Sequence, residues 1–427
     1  MNVSLRRGAC PGLSAPMQTG DGLLVRLLPI GTMPLHSFAG LCAAAEKYGN
    51  GVIEITARGS IQVRGLSAGS APRFAAAIAA LGIAAAGGIP ILGNALAGLD
   101  PEELLDAGTL AAELRAALAQ PPLAARLAPK VGIVIDGGGA TALDRVPADL
   151  RLCARPTDGA VTLELALGGD AMNATPLGAV APGNGVEAAM RLLGVLARSG
   201  RQARARDVLA TEGIAAFRFA IADLLVGDAS PQRARIGRDA IGLHPLRDGA
   251  LACGVGLAFG HADAAALSQL AAAAGAGGAA GLRAAADRTL MAIGVRREKA
   301  ASFAAAAAQL GFIVDAGDPR RRVVACAGRP ICGSAHIATR TIAPRIVAIA
   351  APSLDGAATI HISGCIKGCA HPGAAALTIL GTPNDCALIA NGTTRDDAYA
   401  VVAADELPAA VARQLQRERG HVEQDHV

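Results

Sequence analysis

Four cysteines stand in two close pairs in the last quarter of the chain. Cys326 and Cys332 enclose five residues in "CAGRPIC", and Cys365 and Cys369 enclose three in "CIKGC". Each pair follows or closes an apolar, strand-like run, so we expect the four thiols to converge at one end of a sheet. Because thiolates are ligands for soft metal centres, the spacing indicates a metal site built from four cysteines.

An iron–sulfur cluster suits this pattern best, because its irons are usually held by cysteine. The glycines of "SGCIKGC" let the backbone approach a bulky cluster and turn N–H groups toward its sulfurs. A structural zinc site also uses four cysteines, but usually in pairs with two to four residues between them. Burial of the cysteines in a core without any metal is the third interpretation.

The other five of the nine cysteines show no mutual spacing. We expect them in core or loop positions, with the first one, in "RGACPG", as the candidate for a role near a ligand. An odd number of cysteines in a long, Ala-rich chain fits a reducing compartment better than a disulfide framework. These five are Cys10, Cys42, Cys153, Cys253 and Cys386.

Composition excludes several classes of function. The chain has 427 residues, enough for several domain-sized units with a large core. Aromatic residues make up only 2% and Trp is absent, so there are few side chains on which nucleic-acid bases could stack. The net charge of +4 is too small to indicate a polyanionic partner and is compatible with small anionic ligands in a pocket.

Two segments bear on targeting. The basic N-terminus contains Pro and Gly where a signal peptide requires an apolar segment. Residues 74–99 carry no charge, but Gly, Pro and Asn interrupt them, so we expect a helix end, a turn and a buried strand rather than a membrane span. These features predict a cytoplasmic protein.

The chain contains an internal repeat. "DGLLVRLLPIG" has a counterpart in "DGALACGVGLAFG", and in both copies an apolar-periodic helix, a second strand and a second helix follow. The copies begin at Asp21 and Asp248, an offset of 227 residues, and the second strands end at Leu66 and Val295, an offset of 229. One copy cannot cover both faces of its sheet, so we expect the two to pack together.

A further sheet-and-helix unit follows each copy, which gives the order A, B, A′, B′ in a mixed α/β (α+β) fold. We expect A at 1–90, B at 91–240, A′ at 241–315 and B′ at 316–427, with the cysteine pairs in B′. The interface between duplicated halves is a natural site for one large ligand.

The two cysteine spacings in the second half of a duplicated chain resemble those of the nitrite and sulfite reductase family. The resemblance implies that A and A′ are ferredoxin-like half-domains and that B and B′ are sulfite-reductase-type catalytic half-domains. It also implies a [4Fe–4S] cluster on Cys326, Cys332, Cys365 and Cys369, with the last cysteine bridging to the iron of a sirohaem.

Shorter motifs resemble a branch of that family that acts in aerobic cobalamin (vitamin B12) biosynthesis. They are "ACPGL", "LAGLDPEELLD", "IDGGG" and "SGCIKGCAHP". The resemblance implies an oxygen-dependent hydroxylation with lactone formation that converts precorrin-3A to precorrin-3B. O2 and an electron-donor reductase or ferredoxin are the implied partners, since the chain shows no Rossmann fingerprint.

The chain departs from sulfite reductases at their cationic clamp for the small anion. Lys130 is retained, but Gly132 stands where the second lysine would fall, and Ile89 stands where an arginine would align. Lys367 stands where sulfite reductases tend to carry Asn. The reduced charge argues against reduction of sulfite or nitrite. We take Lys130 and Lys367 as the candidate catalytic residues.

The run "TARGSIQVRG" supplies candidate carboxylate-binding residues. Arg58, Gln62 and Arg64 alternate, which predicts one shared strand face. Guanidinium groups pair bidentately with carboxylates, of which a tetrapyrrole of this pathway carries several. Arg58 matches the family's macrocycle-binding arginine best. Ordinary solvated charges on an exposed strand are the alternative.

The oxygen-activating centre stays open between sirohaem and a mononuclear non-haem iron. His336, His361 and His371 lie near the cluster cysteines, as candidate ligands of a second metal or as hydrogen-bonded structural residues. Two other functions also stay open. They are a sirohaem-dependent sulfite or nitrite reductase, and a non-catalytic electron-transfer protein or zinc-stabilised tetrapyrrole carrier.

Overall fold

The computed structural model describes most of the chain. Cys10 lies outside the described part. The described residues are 11–120, 122–157, 159–228, 235, 237–351, 359–371 and 373–424.

The first sheet-and-helix unit, A, is a small sheet with two helices. Its elements are β1 (Met17–Thr19), β2 (Gly22–Leu27), β3 (Met33–Pro34), α1 (Leu35–Tyr48), β4 (Val52–Ile55), β5 (Ile61–Leu66) and α2 (Ser70–Ala80). Unit A′ repeats this order. Its elements are β12 (Gly242–Pro245), β13 (Leu251–Gly256), β14 (His261–Asp263), α8 (Ala264–Ala276), β15 (Gly281–Ala285), β16 (Thr289–Val295) and α9 (Ala300–Gln309).

Units B and B′ carry longer sheets. B contains β6 (Ile91–Gly93), α3 (Ala107–Ala119), α4 (Leu123–Arg126), β7 (Ile133–Asp136), β8 (Ala148–Thr157), β9 (Ala160–Gly169), β10 (Thr175–Val180), α5 (Gly185–Arg198), α6 (Ala205–Glu212), α7 (Ala215–Ala220) and β11 (Leu225–Gly227). B′ contains β17 (Val323–Ala325), α10 (Thr339–Ala350), β18 (Ile360–Ser363), β19 (Ala375–Gly381), β20 (Cys386–Gly392), β21 (Ala400–Val402) and α11 (Leu407–Gln424).

The sheets of A and A′ exchange their edge strands. The order in A is β1-β2-β5-β4-β14, so its last strand comes from A′. The order in A′ is β12-β13-β16-β15-β3, so its last strand comes from A. The exchange is reciprocal, and each copy therefore completes the sheet of the other.

The prediction of one second strand in each copy is wrong in detail, because this segment forms a hairpin of two strands in both copies. "GVIEITARGSIQVRG" splits into β4 and β5, and the counterpart splits into β15 and β16. Backbone φ angles of +69° at Gly59, +56° at Asp287 and +59° at Arg288 lie in the left-handed region that tight hairpin turns use. A long β-branched run therefore does not distinguish one strand from two.

One hydrophobic core joins the two copies, which confirms that they pack together. Helices α1 and α8 face each other, and the aromatic side chains of both copies are buried in the same cluster. Phe38, Phe74 and Phe303 are exposed by no more than 2%. Burying such a ring stabilises the fold by about 1.5–3 kcal/mol.

The sheets of B and B′ share one topology, which supports the predicted duplication. In B, β6, β7 and β8 pair in parallel, and β9 and β10 continue the sheet antiparallel. In B′, β17, β18 and β19 pair in parallel and β20 and β21 continue it antiparallel. Both sheets therefore gather the carboxyl ends of parallel strands at one edge.

The uncharged run at 74–99 contains the end of α2, a connection and β6, as predicted. In the described part of the chain, helices that combine the length and the apolarity needed to span a membrane are absent.

Candidate functional site

Two of the four clustered cysteines are placed by adjacent parallel strands. Cys326 directly follows β17, and Cys365 lies two residues after β18. Because these strands run parallel, their carboxyl ends meet at the same edge of the sheet. The Gly364 N–H donates to Cys326 Sγ over 3.1 Å, which joins the two segments. The predicted convergence is confirmed for this pair.

Cys332 and Cys369 reach the same place on loops. Burial raises the pKa of the Cys369 thiol, and the negative charges of the Cys365, Cys326 and Cys332 thiolates raise it further. Lys367 acts in the opposite direction and lowers that pKa. Such charge interactions weaken with distance, which agrees with the four cysteines lying near one another.

The predicted metal site can be compared with the described side chains. Among the described side chains, no group of three His, Cys, Asp or Glu is arranged to hold one metal ion. Each thiolate of a [4Fe–4S] cluster binds a different iron, so the sulfurs do not have to meet at one point. The arrangement is compatible with the cluster that the cysteine spacing predicts.

Glycines around the cysteines occupy positions where a side chain has no room. A Cβ on Gly364 would lie 2.6 Å from Ala335 Cβ and 3.4 Å from Cys326 Sγ. Gly368 has φ +57°, and a Cβ there would lie 2.9 Å from Thr394 Oγ1. Larger residues would push the loop outward, so the glycines keep the cysteine loop close to the sheet.

Side-chain hydrogen bonds hold the loop that carries Cys365 and Cys369. Ser363 Oγ donates to the Cys365 carbonyl over 2.7 Å, and Thr394 Oγ1 donates to the Ile366 carbonyl over 2.8 Å. Lys367 Nζ donates to Ser334 Oγ over 2.8 Å and so links the two cysteine loops. These bonds therefore fix the backbone of the loop and connect it to the loop that carries Cys332.

The N-terminal unit also shapes this site. The β1–β2 turn lies in close contact with the loop that carries Cys332. A Cβ on Gly20 would lie 1.8 Å from Gly333 N and 2.7 Å from the Cys332 carbonyl carbon. Sequence spacing gave no sign of this contact, because the two segments are far apart in the chain. Only glycine fits at this point without moving the cysteine loop.

Replacing Gly20 by Ala is therefore expected to displace the Cys332 loop and to lower the iron and sulfide content of the purified protein. Gly183→Ala is the matched control, since a Cβ there meets nothing within 4 Å. Iron and acid-labile sulfide analysis decides the question. Full iron and sulfide in the Gly20→Ala protein would show that the loop tolerates the shift.

A buried charge network lies beside this contact and joins A to B′. Arg64 Nη2 pairs with Asp21 Oδ1 at 3.2 Å, and Arg64 Nη1 lies 3.9 Å from Glu54 Oε2. Glu54 also pairs with Arg340 of α10. In the amide orientation that satisfies its neighbours, Gln62 donates to Glu54 and accepts from Arg26. Removing one charge from such a buried group costs about 3–5 kcal/mol.

Gln62 and Arg64 lie on one face of β5 as predicted, but that face is buried. Their exposed fractions are 8% and 7%, and acidic side chains of the protein already surround them. These are not solvated strand charges. The prediction that Arg58 shares this strand face is wrong, because Arg58 lies in the β4–β5 turn.

The turn carries Arg58 onto unit B. Arg58 Nη2 donates to the Pro147 carbonyl over 2.6 Å, and Nη1 lies 2.9 Å from where a Cβ of Gly132 would be. Lys130 is exposed two residues before Gly132. Arg58 and Lys130 thus flank the start of β7 on the surface of B.

Ile89 does not belong to this surface. It is 9% exposed and packs in the core of B. The buried position of Ile89 therefore does not support its alignment with a ligand-binding arginine. Only Gly132 then remains as a position where the positive charge of the anion clamp is reduced.

The three histidines near the cysteines have different surroundings. His361, on β18, is fully buried, and neither ring nitrogen has a hydrogen-bond partner among the described residues. Burial, with contributions from His371 and Arg288, lowers the pKa of His361 to about 4, so the ring is neutral at physiological pH. His371 Nε2 lies 3.2 Å from the Ala374 carbonyl, and His336 is exposed. Of the three histidines, His361 is therefore the one whose ring nitrogens lack a partner in the described part of the chain.

The other described cysteines behave as core residues, as expected. Cys42, Cys153, Cys253 and Cys386 are buried and free. Burial raises the pKa of Cys42 to about 12 and that of Cys153 and Cys253 to about 11, so these thiols are protonated and unreactive.

Comparison with known proteins agrees with the fold. A model described as nitrite/sulfite reductase ferredoxin-like half domain matches residues 15–81. A precorrin-3B synthase from Sinorhizobium sp is 41% identical over 414 residues, which cover 96% of this chain and 88% of that protein. The solved structure of Mycobacterium tuberculosis NirA protein matches with a TM-score of 0.77 at 21% identity, over 92% of this chain and 80% of that one. The latter similarity confirms the duplicated fold.

Proposed function

The chain belongs to the precorrin-3B synthase family of cobalamin-biosynthesis oxidoreductases, and we propose that it converts precorrin-3A to precorrin-3B. The observation that carries the proposal is the 41% identity over 96% of the chain. The reaction inserts one oxygen atom of O2 by hydroxylation and closes a lactone on the substrate. The other oxygen atom leaves as water, and an electron donor supplies two electrons.

We assign the [4Fe–4S] cluster to Cys326, Cys332, Cys365 and Cys369. When bound, such a cluster supplies one-electron transfer at a potential that exposure and hydrogen bonds to its sulfurs set. The chain contributes the Gly364 N–H, which donates to Cys326 Sγ over 3.1 Å. Donation to a sulfur stabilises its negative charge, and therefore favours the thiolate that ligation requires.

The second centre in the proposal is sirohaem or a mononuclear non-haem iron. Members of the wider nitrite and sulfite reductase family typically bind sirohaem, and a macrocycle brings its own equatorial ligands. A mononuclear iron needs several protein ligands, and the described side chains hold no ready set of three. His361 offers buried, unpartnered ring nitrogens that suit a metal or a substrate carboxylate.

Basic residues of the chain bind the substrate in this proposal. Precorrin-3A is a macrocycle with several carboxylates, and Arg58 presents a planar guanidinium that pairs with them bidentately. Lys130 adds an exposed cation beside it. Gln62 and Arg64 remain proposed substrate-binding residues, although the carboxylates of the ligand would have to compete with the acidic side chains that already surround them.

Lys130 and Lys367 are the proposed catalytic cations. An ammonium group can donate a proton and stabilise negative charge that develops on a reacting oxygen. The bond from Lys367 Nζ to Ser334 Oγ holds this group between the two cysteine loops. The electron donor in the proposal is a reductase or ferredoxin, and the enzyme acts in the cytoplasm.

The proposed half-domain boundaries are 1–90, 91–240, 241–315 and 316–427. The strand exchange crosses two of these units, since β3 completes the sheet of A′ and β14 completes the sheet of A. A and A′ are accordingly expected to fold as one body.

Arg58→Ala is expected to weaken tetrapyrrole binding by about 1.5–3 kcal/mol, because it removes a charge-assisted hydrogen bond to a carboxylate. Iron and sulfide content should not change, since the hydrogen bond from Arg58 goes to Pro147 of unit B, whereas the four cysteines lie in unit B′. A fluorescence titration measures the affinity. If the affinity for the tetrapyrrole is unaltered, Arg58 is an ordinary surface charge and does not bind the substrate.

Turnover assays separate the proposal from a sirohaem-dependent sulfite or nitrite reductase. With precorrin-3A, a reductant and air, the protein should form a product heavier by one oxygen atom. With sulfite or nitrite and the same reductant, turnover should be negligible, because Gly132 removes one cation that would hold a small anion. Robust formation of sulfide or ammonia would favour the reductase instead.

A further inference from the structure

We infer that Gly132 is a positioning residue for Arg58: its missing side chain leaves the space in which the guanidinium lies. A Cβ on Gly132 would be 2.9 Å from Arg58 Nη1 and 4.0 Å from Cζ, closer than van der Waals contact allows for Nη1. From this position Arg58 Nη2 donates to the Pro147 carbonyl over 2.6 Å. A turn of A is thereby fixed against the edge of B.

The glycine is not required by its backbone. Gly132 is absent from the positions with φ in the left-handed region, so alanine fits its conformation. Its N–H donates to Asp149 Oδ2 over 2.9 Å, and its carbonyl accepts from the Asp149 and Leu150 N–H groups. Asp149 is in turn paired with Arg204 at 2.9 Å.

An added methyl group therefore moves Arg58 and not the strand. The backbone at Gly132 is anchored through a buried carboxylate, whereas the end of an arginine side chain rotates at little cost. Gly132→Ala is thus a selective way to displace the guanidinium while the fold is kept.

The inference rests on the proposed function and refines its specificity. In place of a second lysine from B, the site has space for the planar guanidinium of Arg58 from A. A guanidinium binds a carboxylate bidentately, whereas an ammonium group acts as a point charge. A glycine at this position consequently favours a carboxylated macrocycle as the ligand.

The test is a double-mutant cycle in the affinity for sirohydrochlorin, the iron-free macrocycle of sirohaem, measured by fluorescence titration of the full chain. Arg58→Ala and Gly132→Ala should each weaken binding by roughly tenfold to a hundredfold, the range of one charge-assisted hydrogen bond. The double variant should bind sirohydrochlorin no more weakly than the more strongly affected of the two single variants. Gly93→Ala, on the neighbouring strand β6, is the control, since its Cβ would meet only ordinary contacts at 3.8 Å.

Two results would overturn the inference. In the first, Gly132→Ala weakens binding no more than Gly93→Ala does. In the second, the effects of Arg58→Ala and Gly132→Ala on the binding free energy are additive, which shows that Gly132 acts independently of Arg58. If the unaltered protein binds no macrocycle at all, the proposed function itself fails, and that outcome is distinct from the first two. Iron and sulfide analysis of each variant confirms that the cysteine site is intact.

Discussion

Replacing Cys365 by Ser is expected to remove most iron and sulfide from the protein and to abolish turnover. Anaerobically purified unaltered protein should contain about four iron and about four inorganic sulfide per chain, as one [4Fe–4S] cluster requires. Serine keeps the shape of the side chain but replaces a soft thiolate by a hydroxyl, which ligates iron poorly. Cys365 lies at the strand edge where both loops meet, and each of the other three clustered cysteines is already assigned to an iron of its own.

Cys253→Ser is the matched control for this prediction. Cys253 is buried on β13, and its raised pKa marks it as a protonated core thiol. Iron and sulfide should therefore stay at the level of the unaltered protein. Electron paramagnetic resonance of the reduced proteins distinguishes the cluster type and reports any haem. If each chain instead holds one tightly bound zinc and no sulfide, the four cysteines form a structural zinc site and not an iron–sulfur cluster.

Local patterns in the sequence were sufficient to predict much of the fold and of the cysteine site. The repeat, the order of the units and the convergence of Cys326 and Cys365 all follow from apolar periodicity and from the placement of cysteines after strands. These features depend on residues close together in the chain. Small residues at Gly364 and Gly368 are also predicted, although the structure shows that their tight contacts are with the distant residues Ala335 and Thr394.

Features that depend on contacts between distant segments could not be predicted. The exchange of β3 and β14 is invisible in the sequence, because a strand of two or three residues has no periodicity of its own. The contact of Gly20 with Gly333, and the pairing of Arg64 with Asp21, join segments whose separation no local pattern records. Arg58 falls outside the predicted strand face because the alternation ends at the β4–β5 turn.

The pairing of Arg64 also changes what its charge can do. A single arginine on an exposed face would attract a substrate carboxylate freely, but Arg64 already faces Asp21 and Glu54. A ligand must compete with these carboxylates, so each ion pair it forms gains less. Arg58 donates to the neutral carbonyl of Pro147, which does not compete with a ligand carboxylate in the way that Asp21 and Glu54 do at Arg64.

The origin of the added oxygen atom should distinguish the proposed oxygenase most strongly from its alternatives. A reductase of small anions adds no oxygen to a macrocycle, and a carrier produces no product. Hydroxylation by O2 places one atom of the gas in the product, whereas hydration places an atom of water there. The chain's own contribution is to hold a carboxylated macrocycle through Arg58 and Lys130, with little charge for a small dianion at Gly132.

The most direct test is therefore turnover of precorrin-3A with a reductant under isotopically labelled O2 in ordinary water, analysed by mass spectrometry. A parallel run uses ordinary O2 in labelled water, and the Cys365→Ser protein serves as the inactive control. We expect the product to carry one labelled oxygen atom from O2 in the first run and none from water in the second. Product that takes its new oxygen from water alone, or no oxygenated product from cluster-loaded protein, would contradict the proposed function.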